Sequence, residues 1–368
     1  MRKRLLAGLF FAALLLYNGS GARAESARSA ILVEMDSGRV LYEKNAHEAL
    51  PMASTTKVMT ALLALENGEL TENVTASRNA FGVPGTSIYL SEGETLTLEE
   101  MLLGLMLQSG NDAAVAIAEH IAGDVDSFCR MMTERAEEMG CENTLFTTPH
   151  GLPAQNHHTT AWDLALITRH ALQNPDFRRI VATRTASVPW EGHSYHRVLN
   201  NKNKLLSAYE GALGVKTGYT RAAGRCLVFA AERENMTVVG CVLNDPDWFA
   251  DAAQIMDQGF AAYETVTVLQ ENESIGLIPV ENGERETVAV HAGGTLKAPM
   301  KKGTLPRMET VLPAVLPAPV KKGMPVGEAV LYDEGERLAS VPLYAGESVE
   351  EVSFRFHLGR ILARWAAP

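Results

Sequence analysis

Ser54 and Lys57 stand three residues apart at the start of a run whose apolar positions, Val58, Met59, Leu62, Leu63 and Leu65, recur at helical spacing and stop at Asn67-Gly68. Residues three apart share a helix face, so the hydroxyl and the amine can meet. A hydroxyl beside an amine is an activated nucleophile only if the amine is neutral. The positive end of a helix, a second nearby cation and burial all depress an amine's pKa, which supplies a general base without histidine. Composition alone predicts about one Ser-x-x-Lys in a chain of this size, so the pair gains meaning from its company. Ser109-Gly110-Asn111 falls in a break between two apolar helical runs, where a hydroxyl can relay a proton and an amide can bind a substrate carbonyl. Lys216-Thr217-Gly218 lies in a strand-like segment and offers a cation, a hydroxyl for a carboxylate, and a glycine that lets substrate approach the backbone. The three motifs occur in that order, separated by 55 and 107 residues.

The elements that must hold these groups follow from periodicity. AILVEMDSGRVLYEKN alternates around Asp36-Ser37-Gly38 and reads as a hairpin. The Ser54 helix comes next, then a capping box of Thr97 and Glu100 opening LEEMLLGLMLQ, then DAAVAIAEHIAG, a run from Val125 to Met139, and another from Ala161 to Gln173 stopped by Asn174-Pro175. Strand character returns at TASVPW and continues through KTGYT, CLVFAAER and MTVVGCVLN, with a turn near Arg233 and Glu234, before a helical DAAQIMDQGFAAYE. The expected fold is α/β (α+β): a helical centre, one sheet assembled from both chain ends, and, past about residue 268, a small all-β domain broken by Gly and Pro.

In its three motifs the chain resembles the penicillin-binding proteins and serine β-lactamases, and most closely the low-molecular-mass D-alanyl-D-alanine carboxypeptidases. LPMASTTKVMTALLALENG, MLLGLMLQSGNDAA, NTLFTTPHGL, HHTTAWDLA and GVKTGYTRAAGRCLV are all similar to that family, over roughly residues 28–264. The resemblance implies a β-lactamase/transpeptidase-like domain that removes the terminal D-alanine from peptidoglycan stem peptides, needs no metal or other cofactor, and is inhibited by β-lactams. It implies that Ser54 forms the acyl-enzyme, Lys57 takes its proton, and Ser109 relays protons to the leaving D-alanine. Asn111 would hold the substrate backbone, Lys216, Thr217 and Gly218 would bind the terminal carboxylate end, and the oxyanion hole would be the backbone N–H groups of Ser54 and Tyr219. Lys216 would also help keep Lys57 neutral.

Departures from the pattern bear on the alternatives. A β-lactamase of this fold needs a Glu that activates the deacylating water; Glu142 falls in about the right interval, yet the segment after it reads as carboxypeptidase, and Gly110 replaces the usual Asp of the middle motif. A penicillin sensor or wall-binding protein without turnover is the other alternative, opposed by intact Ser54 and Lys57. NDPDWFADA places Asp245, Asp247 and Trp248 where some carboxypeptidases carry an arginine. His150, His157 and His158 could suggest a His-dependent hydrolase or a metal site; the resemblance implies loop-shaping roles for them instead, and the chain has neither a Gly-x-Ser-x-Gly elbow nor His-Glu-x-x-His. Tyr195, Arg197 and Asn200 to Asn203 precede the Lys-Thr-Gly strand, where they read as a solvated loop or as lining of the site. Cys226 and Cys241 could face one another across a hairpin, either bonded under oxidising conditions or, as the favoured reading, as two small buried residues with no bond, and Cys129 and Cys141 suggest nothing further.

The whole chain sets the setting. Its 368 residues, 46% hydrophobic and 21% charged, suffice for two domains, and a net charge of -11 repels phosphate backbones and argues against nucleic acid as a partner. No cysteine or histidine cluster has zinc-ligand spacing. Residues 1–24 combine a basic start, an apolar run from Leu5 to Tyr17 too short to span a bilayer, and Ala22-Arg23-Ala24, so they read as a secretory signal peptide. Its removal takes three Arg and one Lys and leaves -15. The expected organisation is 1–24 signal peptide, 25–267 catalytic domain, 268–350 β-sandwich domain and 351–368 amphipathic helix. That helix sets Leu358, Ile361, Leu362 and Trp365 on one face among Arg355, Arg360 and Arg364, which suits attachment to the outer face of the cytoplasmic membrane.

Overall fold

The computed structural model describes residues 25–354 together with Phe356, Leu358, Leu362 and Trp365, so the expected signal peptide lies outside the described residues. A five-stranded antiparallel sheet runs in the order Val40–Lys44, Ser29–Glu34, Met236–Leu243, Gly224–Arg233, Ala212–Thr220. Its first two strands come from the start of the chain and the other three from beyond residue 211, as the periodicity predicts. Alternation along each strand sends successive side chains to opposite faces. Leu227, Phe229 and Ala231 face the helix Trp248–Ala262, whereas Cys226, Val228 and Ala230 join the larger core built by the central helices.

Glu234 and Asn235, both at positive φ, join two of these strands in a tight hairpin. This turn pairs Arg233 with Met236, which puts Cys241 opposite Val228. Cys226 is therefore displaced along its strand from the position facing Cys241, and both are free, buried thiols.

The central helices follow the expected segments, with two differences that have local causes. Asn174 ends the helix Ala161–Gln173, but its Oδ1 also accepts the backbone N–H groups of Asp176 and Phe177 and starts a further helix, Pro175–Ala182. Asn followed by Pro is as good a beginning as an ending, because Asn caps and Pro suits the first helical position. The run after Thr97 begins with the expected capping box, becomes α-helical over Leu98–Leu103, and then widens into a π-turn over Gly104–Gln108. Such turns recur at functional sites. This one delivers Ser109 in the left-handed region, φ +65°.

Beyond the Trp248–Ala262 helix, the strand Tyr263–Leu269 pairs with Leu296–Lys301, and a six-stranded sheet packs on its own apolar cluster. Arg39, in the turn of the first hairpin, meets Asp333 of this β part at 2.6 Å with both side chains nearly excluded from water. The described residues of the terminal segment, Phe354, Phe356, Leu358, Leu362 and Trp365, are helical, and Trp365 is 87% exposed; Ile361 and the three arginines expected beside them lie outside the described residues.

Candidate active site

Ala53–Thr56 forms a 3-10 turn before the helix Lys57–Asn67, tied by the Thr55 and Thr56 hydroxyls, which donate to the carbonyls of Met52 and Ala53 at 2.6 and 2.8 Å. Ala53 itself has φ +50°, an uncommon conformation for a residue with a Cβ. Gly151 packs under it so closely that a Cβ there would stand 1.8 Å from the Ala53 carbonyl oxygen. The chain thus bends sharply just before Ser54 and turns its hydroxyl toward an open cleft.

Lys57 lies behind it, fully buried. Its Nζ lies 3.1 Å from Ser54 Oγ, 2.8 Å from Asn111 Oδ1 and 2.7 Å from the His150 carbonyl. An ammonium would have three protons for these oxygens; a neutral amine has two N–H bonds and one lone pair. The neutral form fits fully if Asn111 and His150 accept its two protons and Ser54 donates to the lone pair. Burial pushes the Lys57 pKa well below its ordinary value, and the neighbouring cations Lys216 and Lys202 push it further in the same direction. Both effects favour the neutral form of the amine that meets Ser54.

Asn111 opens the helix Asn111–Ala122 and is held by its own Nδ2, which donates to the Pro84 carbonyl at 2.7 Å, while its backbone N–H donates to Thr86. Asp112 anchors the same loop by accepting from the Ser87 hydroxyl and from the N–H groups of Ile88 and Leu90. On the opposite wall the strand Ala212–Thr220 passes the Ser54 backbone so closely that a Cβ on Gly218 would meet the Ser54 nitrogen at 2.9 Å. That approach brings the Ser54 and Tyr219 regions of backbone to one place. The Tyr219 side chain turns outward and is 63% exposed.

Ser54, Ser109, Thr217 and Gly218 all line one cavity of about 570 Å³. Lys216 is buried beside it, with Nζ donating to the Thr217 carbonyl at 2.8 Å, and burial followed by the charge of Lys202 lowers its pKa to about 7. The cavity mouth carries Lys202, Lys204 and Arg225 and has no carboxylate among the lining residues, in a chain whose net charge is negative. An anionic ligand is drawn to this place against the field of the rest of the molecule.

All eight residues singled out in the three motifs thus converge, Tyr219 through its main chain. Glu142 is exposed and does not line the cavity. His150 and His157 serve as packing groups: burial above all lowers their pKa values to about 3 and about 4. His157 Nδ1 accepts the Thr147 N–H, which leaves Nε2 to donate to Thr56 at 2.8 Å. Arg197 is buried against Glu94 at 2.7 Å and does not line the cavity, and Tyr195 sits in an exposed hairpin-tip cluster with Trp190 and His193. Asn201 and Asn203 fasten their loop to the backbone. Sequence reading missed Thr86, Lys204, Arg225 and Phe249 as lining residues. No local pattern marks them, because they come from four separate segments that meet only in the folded chain.

A family profile described as "D-alanyl-D-alanine carboxypeptidase" matches residues 18–247, and one described as "Penicillin-binding protein 5, C-terminal domain" matches residues 263–351. The chain is 33% identical to D-alanyl-D-alanine carboxypeptidase DacF of Bacillus subtilis, covering 99% of both chains. It is 32% identical to DacC of Escherichia coli over 90% of this chain and 86% of that one. Among solved structures, penicillin binding protein 5 from Haemophilus influenzae superposes with a TM-score of 0.76 at 28% identity, covering 90% of this chain and all of that one. PBP3 from Streptococcus pneumoniae gives 0.77 at 26% identity, covering 89% of this chain and all of that one.

Proposed function

From its membership of the D-alanyl-D-alanine carboxypeptidase family, which makes this chain a serine peptidase that acts on D-Ala-D-Ala ends, we propose that Ser54 is the acyl-ester nucleophile and Lys57 its general base. The observation that carries the assignment is the Lys57 amine, fully buried within 3.1 Å of Ser54 Oγ, where burial and the neighbouring Lys216 and Lys202 favour its neutral form. Ser54 Oγ attacks the carbonyl between the two D-alanines as its proton passes to Lys57. The oxyanion of the tetrahedral intermediate is held by the backbone N–H groups of Ser54 and Tyr219. Ser109 passes a proton from Lys57 to the departing D-alanine nitrogen, the C–N bond breaks, and water later attacks the ester with Lys57 again as base. Asn111 orients the stem-peptide backbone, and Thr217 binds the terminal carboxylate within the cationic mouth.

The test is to incubate the protein with a peptide ending in D-Ala-D-Ala and with benzylpenicillin. Free D-alanine and a penicilloyl mass on Ser54 support the assignment. An adduct without D-alanine favours a sensor or wall-binding role, rapid release of the adduct favours a β-lactamase, and neither product overturns Ser54.

Lys216 has two jobs in this scheme, carboxylate recognition and electrostatic pressure on Lys57. Lys216→Ala should cut kcat/KM by about 10–100-fold, the worth of one charge-assisted hydrogen bond. Removing the cation raises the Lys57 pKa, so the acid limb of the pH–rate profile moves to higher pH. A loss of rate with an unmoved limb would confine Lys216 to binding.

The setting we propose is extracytoplasmic, with residues 1–24 removed as a signal peptide and the C-terminal helix resting on the outer face of the cytoplasmic membrane. Among the described residues no helix is long and apolar enough to cross a membrane, whereas Phe354, Leu358, Leu362 and Trp365 expose apolar surface. A lone helix of this kind binds weakly and reversibly. Deleting 353–368 should move the protein from the membrane pellet to the supernatant with D-alanine release unchanged; retention in the pellet would refute the anchor.

A further inference from the structure

The first described residues end against a group of acids that the catalytic scheme does not use. Ser26 donates its backbone N–H to Asp251 Oδ2 at 2.5 Å, and its hydroxyl bridges Asp245 Oδ1 and Asp251 Oδ2, both at 2.7 Å. Asp245 and Asp251 have no exposed surface at all, and among the described residues Asp245 Oδ2 and Asp251 Oδ1 find no donor beyond the proton the two carboxyl groups can share. Buried carboxylate oxygens are costly to leave unpaired. Glu25 adds a third acid, and its one ion pair among the described residues is to Lys44 at 2.9 Å. The group therefore carries three acids against one cation. Burial and the neighbouring Asp251 charge raise the pKa of Asp245 to about 7, although the Ser26 hydroxyl acts against them.

We infer that this pocket is a receptor for a primary ammonium, and that its ligand is the α-amino group of Glu25 itself once the leader has been cut after Ala24. The inference rests on the signal-peptide reading above. Consecutive backbone nitrogens are about 3 to 3.6 Å apart, so a terminal nitrogen on Glu25 starts one bond step from an amide already seated on Asp251. It can swing about its own Cα–C bond toward the open oxygens of Asp251 and Asp245. In an unprocessed chain the same nitrogen is a neutral amide with one proton, and the acids lack that charge.

The pocket has a route to the catalytic cleft. Asp245 Oδ1 accepts the Asp247 N–H, and Arg225 donates to the Pro246 carbonyl. Asp251 lies in the first turn of the helix that begins with Trp248 and Phe249. Arg225, Trp248 and Phe249 form one side of the cavity that holds Ser54. Capture of the new terminus fixes this wall, so removal of the leader also completes the substrate cleft.

The test secretes the whole chain and compares it with a version carrying Gly-Ser between Ala24 and Glu25, which leaves the cleavage site intact and moves the ammonium two residues away. Intact mass first establishes where each product begins. The expected result is a thermal midpoint lower by about 2–4 °C in the extended protein, with lower kcat/KM for a D-Ala-D-Ala peptide. Asp251→Asn, or Asp245→Asn if the first variant does not fold, should abolish the difference between the two forms, an interaction that simple crowding by extra residues would not produce. Equal midpoints, or effects that merely add, overturn the inference. A native product that does not begin at Glu25 overturns it as well, while leaving the carboxypeptidase assignment intact. Absence of D-alanine release would defeat the Ser54 assignment without altering the comparison of midpoints.

Discussion

Ser54→Ala should fold as the parent does, bind peptide, and release D-alanine at least about 10³ times more slowly, with no penicilloyl adduct anywhere on the chain. The substitution removes one oxygen from a half-buried site and adds no atoms. The turn that presents it is held by Met52, Ala53, Thr55 and Thr56 and by the close fit of Gly151, none of which involves the Ser54 side chain. The oxyanion donors are main-chain groups and stay in place, as do Lys202, Lys204 and Arg225 at the cavity mouth. Substrate recognition and catalysis are therefore separable here: the peptide should bind with an affinity close to that of the parent, measured by calorimetry, while product formation collapses. The second nearby hydroxyl, Ser109, lines the same cavity and sits at φ +65°. A mass adduct that persists in Ser54→Ala and maps to Ser109 would reverse the two roles.

How much of this was legible in the sequence differs by length scale. The sheet and helices were readable because each carries a regular pattern: period two in CLVFAAER, period 3.6 after Lys57, a capping box at Thr97. The helix Pro175–Ala182 was hidden because Asn174-Pro175 serves equally as a stop and as a start. The motif residues were readable because each triad is local. The neutral state of Lys57 was only half readable. A nearby second cation could be guessed from Lys-Thr-Gly, but the acceptors that fix the amine are the His150 carbonyl and Asn111 Oδ1, 93 and 54 residues away. Backbone carbonyls leave no mark on a sequence. The cationic mouth was legible only at Lys202, which falls in the 200–203 stretch read as loop or lining; Lys204 and Arg225 are ordinary surface types until the fold gathers them. The pairing of Asp245 with Ser26 spans 219 residues, and sequence reading noted Asp245 only as a missing arginine.

Lys57→Met should be as inactive as Ser54→Ala in turnover yet differ from it in how stability depends on pH. Methionine matches the length of the lysine stem and has no lone pair basic enough to take the Ser54 proton. Acylation by peptide and by benzylpenicillin should both fall by about 10²–10⁴, the range for a lost general base. The folded parent holds Lys57 with its pKa far below the ordinary value, whereas the unfolded chain binds a proton there up to about pH 10.4. Across that interval the unfolded state carries the extra proton, so stability of the parent rises with pH until the unfolded lysine also becomes neutral. Lys216 contributes in the same sense above its folded value of about 7. The parent should thus gain thermal midpoint between pH 7 and 9, and Lys57→Met should gain less, with Lys216 supplying the remaining slope. At neutral pH the variant no longer keeps a buried amine deprotonated, which offsets the two acceptors left open at Asn111 and His150. Lys57→Gln, which can still donate to one of them, separates the two effects: it should be equally inactive and share the shallow slope. If both variants retain the full pH slope of the parent, the amine is charged in the folded protein and Lys57 is not the base.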